Sequence, residues 1–212
     1  MRDSEFARVP EVLKQLRDHG PDVFGAAEHG FELNEPLSEE EVLAFEDAHS
    51  IRLPEDYRGF LMRLGNGGAG PFYGIFRLGE VDDNSGYRKW QEQDGMVGVL
   101  SRSFPLSEPW NDVSAMPDDD LADSDKEECW RPKSSFEETY WGSEIVNGAI
   151  PICHEGCAIR VWLVVTGAQA GKLWEDKRSE YGGLKPVLLT DGTPATFSSW
   201  FEEWLDLCLV KK

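Results

Sequence analysis

Residues 149–162 read AIPICHEGCAIRVW and place Cys153, His154, Glu155 and Cys157 within five positions. Thiolate and imidazole are zinc ligands, a cysteine beside a histidine can make a thiol nucleophile, and a glutamate can act as a general base. Each chemistry sets a requirement. A structural zinc takes four ligands, whereas Cys153, His154 and Cys157 supply three at most, in a C-x-x-x-C rather than C-x-x-C spacing. Cys129, before Trp130, completes the set only if the chain between folds over. In a strand ending at Cys153, successive side chains point to opposite faces, so Cys153 and His154 converge only at a sharp bend. A cysteine nucleophile also needs its base oriented by a further residue, and none is identifiable. The expectation is therefore no catalytic residue, no cofactor and no metal, with an enzyme or zinc protein built on Cys153, His154 and Cys157 as a remote alternative.

Other reactive patterns carry less. His19 and His49 fall at helix C-termini, where an imidazole meets the negative end of the dipole, and His29 is expected in a loop. No G-x-S-x-G, P-loop or H-E-x-x-H occurs. Gly65, Gly67 and Gly70 match G-x-G-x-x-G, but that fingerprint requires strand, loop, helix, and here a helix precedes the glycines. A helix-to-strand turn using positive φ angles is the expected role. Among 40 acidic residues no carboxylate pair stands out for glycoside chemistry.

The elements that would position these residues follow from periodicity. Phe6, Val9, Leu13 and Leu16 recur at helical spacing, predicting a helix over residues 5–18 that stops at His19-Gly20-Pro21. In PLSEEEV, Ser38 and Glu41 form a capping box and Leu37 with Val42 a hydrophobic staple, so a helix starts at 39 and runs to about His49. Pro54 opens the next, with Tyr57, Phe60, Leu61 and Leu64 on one face and Gly65 as its stop. A strand is expected over 72–79, FYGIFRLG. Residues 80–148 are an irregular acidic insert, with a short strand MVGVL and a short helix near SSFEETYW. From 149, alternation and apolar runs predict an antiparallel meander with a hairpin at 167–171 and Trp162 beside Trp174. TFSSWFEEWLDLCLV closes the chain as a helix that buries Phe197, Trp200, Phe201, Trp204, Leu205 and Cys208. The fold class is α+β: N-terminal helices, then a mainly antiparallel twisted sheet with a C-terminal helix packed on it. With neither an internal repeat nor a Ser/Gly/Pro linker, residues 1–212 are expected to form a single domain.

Bulk properties narrow the function. Forty acidic against 21 basic side chains give a formal charge of −19. Direct nucleic-acid binding depends on Lys and Arg and is disfavoured, whereas a basic protein partner would be attracted. No leader-type apolar region and no run approaching ~18 apolar residues is present, so a cytoplasmic protein with no membrane partner is expected. The four cysteines are too sparse for a disulfide scaffold and read as reduced thiols.

The stretch PLSEEEVLAFEDAHSIRLPEDYRGFLMRLGNGGAGP resembles the start of a SUKH superfamily domain, also called the Smi/Knr cell-wall-regulator-like family. Phe45, Glu46, Leu53, Pro54, Tyr57, Leu61, Asn66, Gly67 and Gly68 fill the family's pattern of an acidic helix with an FE pair, then LP-x-x-Y-x-x-F/L-L, then asparagine and paired glycines. GAIPICHEGCAIRVWLVVTGAQAGKLWED and the final helix are similar to its second half, so the resemblance spans about residues 36–209. It implies a non-enzymatic binding protein. Many bacterial members look like immunity proteins that neutralise a cognate toxin of a polymorphic toxin system by direct contact, and eukaryotic relatives resemble regulatory scaffolds, which is the alternative here. Toxins of this kind are often nucleases and hence basic, which the charge of −19 would complement. The partner-binding residues expected first are Asp118, Asp119, Asp120, Asp123 and Asp125, in an acidic run that both a solvated loop and an interaction patch would expose. Glu39, Glu40 and Glu41 need no partner, because acids in a first turn favour the helix dipole.

Overall fold

The computed structural model describes residues 6–83, 86–116 and 135–211. Asp118, Asp119, Asp120, Asp123, Asp125 and Cys129 lie outside these residues. The element order is α+β, with N-terminal helices, a four-stranded antiparallel sheet and a C-terminal helix.

Helix α1 spans Val9–His19 and buries Val9, Val12, Leu13 and Leu16, with Gly20 in the left-handed region capping Leu16 O. It starts later than its apolar spacing predicts because Phe6 has a φ of 66°. That break turns the Phe6 ring into an aromatic cluster with Phe60, Phe197 and Phe201, at centroid distances of 6.0, 6.5 and 6.4 Å. Helix α2 is a single turn, Ala26–His29, bracketed by Gly25 and Gly30 in left-handed conformations. His29 therefore sits on a helical turn and not in a loop.

Helix α3, Glu39–His49, has the capping box expected of Ser38 and Glu41. Helix α4 spans Glu55–Arg63, with Pro54 at its N-cap, one position before the first helical residue. Between them Glu46 is fully buried. Its carboxylate accepts from Leu53 N at 2.9 Å and from Arg52 Nη1 at 2.5 Å, with Arg58 Nε at 3.5 Å. The FE pair thus holds the α3–α4 link shut from within, since a buried carboxylate is stable only when its oxygens are satisfied.

The glycine loop is a backbone crossing. Gly67 and Gly68 have φ of 77° and 106°, and an added Cβ would lie 2.5 Å from Ile75 O or 2.4 Å from Glu32 O. Gly68 N donates to Ile75 O and Ala69 N to Glu32 O, while Asn66 Oδ1 accepts from Leu78 N at 2.7 Å. These amides are spent internally, unlike those of a phosphate cradle. The expected strand over 72–79 is reduced to isolated bridges, Gly68↔Ile75 and Ile75↔Cys153. MVGVL likewise makes only the bridge Glu92↔Val97.

Residues 80–83 and 86–89, assigned to the irregular insert, instead form an antiparallel pair, β1 (Glu80–Asp83) with β2 (Gly86–Lys89). Helix α5, Ser135–Tyr140, follows in the region where a short helix is predicted. The main sheet has the order β3-β4-β5-β6, all antiparallel: β3 is Ala149–Gly156, β4 Ile159–Val164, β5 Leu173–Asp176 and β6 Leu184–Pro186. Trp162 and Trp174 are direct cross-strand partners. Strand β6 went unpredicted, because a three-residue strand beside two glycines has no period to read. Asp176 and Arg178, each 6% exposed, pair with each other at 2.7 Å. Asp176 also accepts from Trp162 Nε1, and Arg178 reaches the carbonyls of Tyr140 and Gly142, fastening α5 to β5.

Helix α6, Phe197–Val210, buries all six residues predicted for its inner face. Its principal helical neighbours are α1 and α4. Leu173 N donates to Ala195 O, and Asp56 Oδ2 accepts from Ser198 N, so the start of α6 is joined to both β5 and α4.

Candidate functional site

The reactive-looking stretch is dispersed by the fold. Register shifts leave Ile152 and Glu155 without counterparts on β4, so β3 carries two bulges and continues past Cys153 to Gly156. Bulges re-aim side chains. The Cys153 thiol is fully buried and donates to Pro71 O at 3.3 Å. Burial, then Glu155, pushes its pKa well above the ordinary thiol value, so the reactive thiolate is disfavoured. His154 lies against Tyr73 and Phe76 at 4.7 and 5.7 Å, both within 14° of parallel, with Nε2 3.3 Å from Asp82 Oδ2. Its pKa is lowered by burial against the opposing pull of Asp82, which favours neutral imidazole. Cys157 is exposed at the hairpin turn, where Cys157 and Ala158 both have positive φ, 49° and 60°. One cysteine is thus wholly inside and the other outside; neither is half-buried. Cys208 is buried in α6, its pKa raised to about 11 by burial. Among the described residues no group of three or more His, Cys, Asp or Glu is placed to hold a metal ion.

The bulge at Glu155 does bring one carboxyl pair together, which the sequence did not single out. Glu155 and Glu175 face a cleft of about 300 Å³ walled by Phe72, Val161, Leu188 and Trp200. Burial first, and then Glu175, raises the Glu155 pKa to about 7. Glu175 is itself held by Lys185 Nζ at 2.9 Å and Lys177 Nζ at 3.3 Å. Glu155 can therefore keep a proton near neutral pH.

A second cleft, of about 320 Å³, lies where α2, the glycine crossing and the β1–β2 pair meet. Its walls include Glu28, Glu32, Glu80, Tyr73, Arg77 and Tyr87. Tyr87 is 63% exposed, and Phe24, 56% exposed, meets Tyr73 edge-on at 5.0 Å. The Tyr87 phenol is pushed above its ordinary pKa by partial burial, then by Asp82 and Glu28, so both carboxylates act on it. His29 also lines this cleft. Its Nδ1 accepts from Phe31 N at 3.0 Å, its ring meets Phe31 and Trp204 edge-to-face, and burial lowers its pKa to about 4. It is neutral at physiological pH, so among the described residues the walls carry carboxylates and the cation Arg77, which donates to Asn34 Oδ1 at 3.2 Å. None of these residues stood out in the sequence, because Phe24, Tyr73 and Tyr87 come from segments of unrelated pattern. The one available signal was aromatic and acidic residues interleaved in FGAAEHGFE, residues 24–32.

The architecture, with its buried FE glutamate and asparagine–glycine crossing, is that of an α+β domain. The SMI1 / KNR4 family (SUKH-1) matches residues 36–181, and the chain is a member of that family. The matched range takes in α3 through β5 and ends before α6. Comparison with curated proteins and with solved structures gives no match. Among the described residues no helix is long and apolar enough to cross a membrane.

Proposed function

We propose that this protein is a non-enzymatic immunity-type domain that neutralises a cognate protein toxin by direct binding. The observation that carries this reading is membership of the SMI1 / KNR4 family (SUKH-1), whose domains are often immunity proteins. The charge of −19 supports a basic partner, such as a nuclease whose substrate cleft an acidic surface would fill. On this reading residues 1–212 act as one cytoplasmic binding unit, and Asp118, Asp119, Asp120, Asp123 and Asp125 add long-range attraction. Co-expression with a toxin candidate from the adjacent gene tests it. Restored growth and a co-purifying complex that weakens as salt rises are expected; the absence of both rescue and complex refutes the proposal, and a salt-insensitive complex refutes its electrostatic part.

A further inference from the structure

Phe24 and Tyr87 are the two most exposed aromatic residues among the described residues; Tyr87 lines this cleft, and Phe24 packs edge-on against Tyr73, which also lines it. Large rings left in water beside a concave site mark a binding surface more often than isolated exposed aliphatics do. Glu28, Glu32 and Glu80 line the cleft, with Asp82 close enough to act on the Tyr87 phenol. Among the described residues Glu28, Glu32 and Glu80 make no ion pair; Arg77, the cation of this wall, is directed to the neutral Asn34. His29 adds no compensating charge, and its Nε2 is buried with no hydrogen-bond partner among the described residues.

We infer that this cleft is the partner-binding surface and that it receives an arginine side chain carried on a basic segment of the partner; the inference rests on the function proposed above. Arginine fits each feature separately. Its planar guanidinium stacks on aromatic faces, its fork pairs with carboxylates, and it is more weakly hydrated than an ammonium ion on entering a partly apolar cleft. A volume of about 320 Å³ admits one such side chain with the backbone that carries it. Unpaired carboxylates gain most from an incoming cation where nearby rings displace water, so ring and acid reinforce each other. The acidic run at 118–128 would then supply steering, while the cleft supplies the anchor.

The test is a titration of the isotope-labelled full chain with the tripeptide acetyl-Gly-Arg-Gly-amide, followed by amide chemical shifts. Acetyl-Gly-citrulline-Gly-amide, which has nearly the same shape and no charge, is the control. Shifts centred on Phe24, Glu28, Tyr73 and Tyr87 are expected with arginine and not with citrulline. Binding weakens at least about tenfold in Glu28→Gln/Glu80→Gln and about fivefold in Tyr87→Ala. Both variants alter surface or cleft-wall groups, and their spectra report directly whether the fold is kept. Equal response to citrulline, or shifts located elsewhere, overturns the assignment. The toxin co-expression separates the two proposals. A toxin bound equally by wild type and double variant removes the cleft and leaves the function; a cleft that takes the tripeptide in a chain that binds no toxin does the reverse.

Discussion

Replacing Glu155 by glutamine should remove a pH-dependent penalty that the bulged strand imposes. Glu155 is held at about 7 instead of its ordinary 4.5, first by burial and then by Glu175 on β5. Lys177 and Lys185, the latter on β6, pair with Glu175 and oppose the shift. Between those two values the folded chain keeps a proton that the unfolded chain releases, so stability falls as pH rises through that window and the loss is complete above it. At about 1.4 kcal/mol per decade the displacement bounds the penalty near 3 kcal/mol. Water reaches this half-buried carboxyl, which reduces the expected value to about 1–2 kcal/mol. Urea unfolding of wild type and Glu155→Gln near pH 5 and near pH 8 isolates the effect, because all other titrating groups are common to both. The variant should gain about 1–2 kcal/mol on wild type at the higher pH and far less at the lower. An identical difference at the two pH values would show that Glu155 titrates as an ordinary surface carboxylate, and the reasoning would fail.

Two further substitutions probe the frame around the sites. Glu46→Ala strips the buried acceptor from Leu53 N and leaves Arg58 without its inner partner, and should cost about 3 kcal/mol in urea unfolding. A loss below about 0.5 kcal/mol would mean that water replaces the carboxylate freely. At the β3–β4 turn, Cys157→Asn with Ala158→Gly puts residues suited to positive φ where cysteine and alanine now stand, and should raise stability by about 1 kcal/mol. No gain would count against the left-handed pair in solution.

Local pattern carried a long way in this chain. The capping box at Ser38, the helical face from Phe197 to Cys208 and the Trp162–Trp174 hairpin all rest on contacts between residues near in sequence, and each is found where periodicity puts it. The same local reading missed β1, β2 and β6 and overstated the strand at 72–79, since three or four residues hold no resolvable period and their pairing depends on distant partners. Phe6 shows the limit from the other side: its spacing continues α1, yet a distant aromatic cluster takes its ring and a left-handed φ results.

The sites divide in the same way. The sequence by itself determined the family through the order of Phe45, Glu46, Leu53, Pro54, Tyr57, Leu61 and the Asn66–Gly68 run, and it determined the formal charge of −19. Only the tertiary structure decided what those pieces do: that Glu46 is an internal fastener, that Cys153, His154 and Cys157 go to three separate environments, and that Glu155 meets Glu175. It alone brought Tyr73, Tyr87 and Glu28 to one cleft. Composition and helical period are properties of the chain's own neighbourhood, whereas a cleft is made by segments that meet only when bulges, glycine crossings and bridges bring them together.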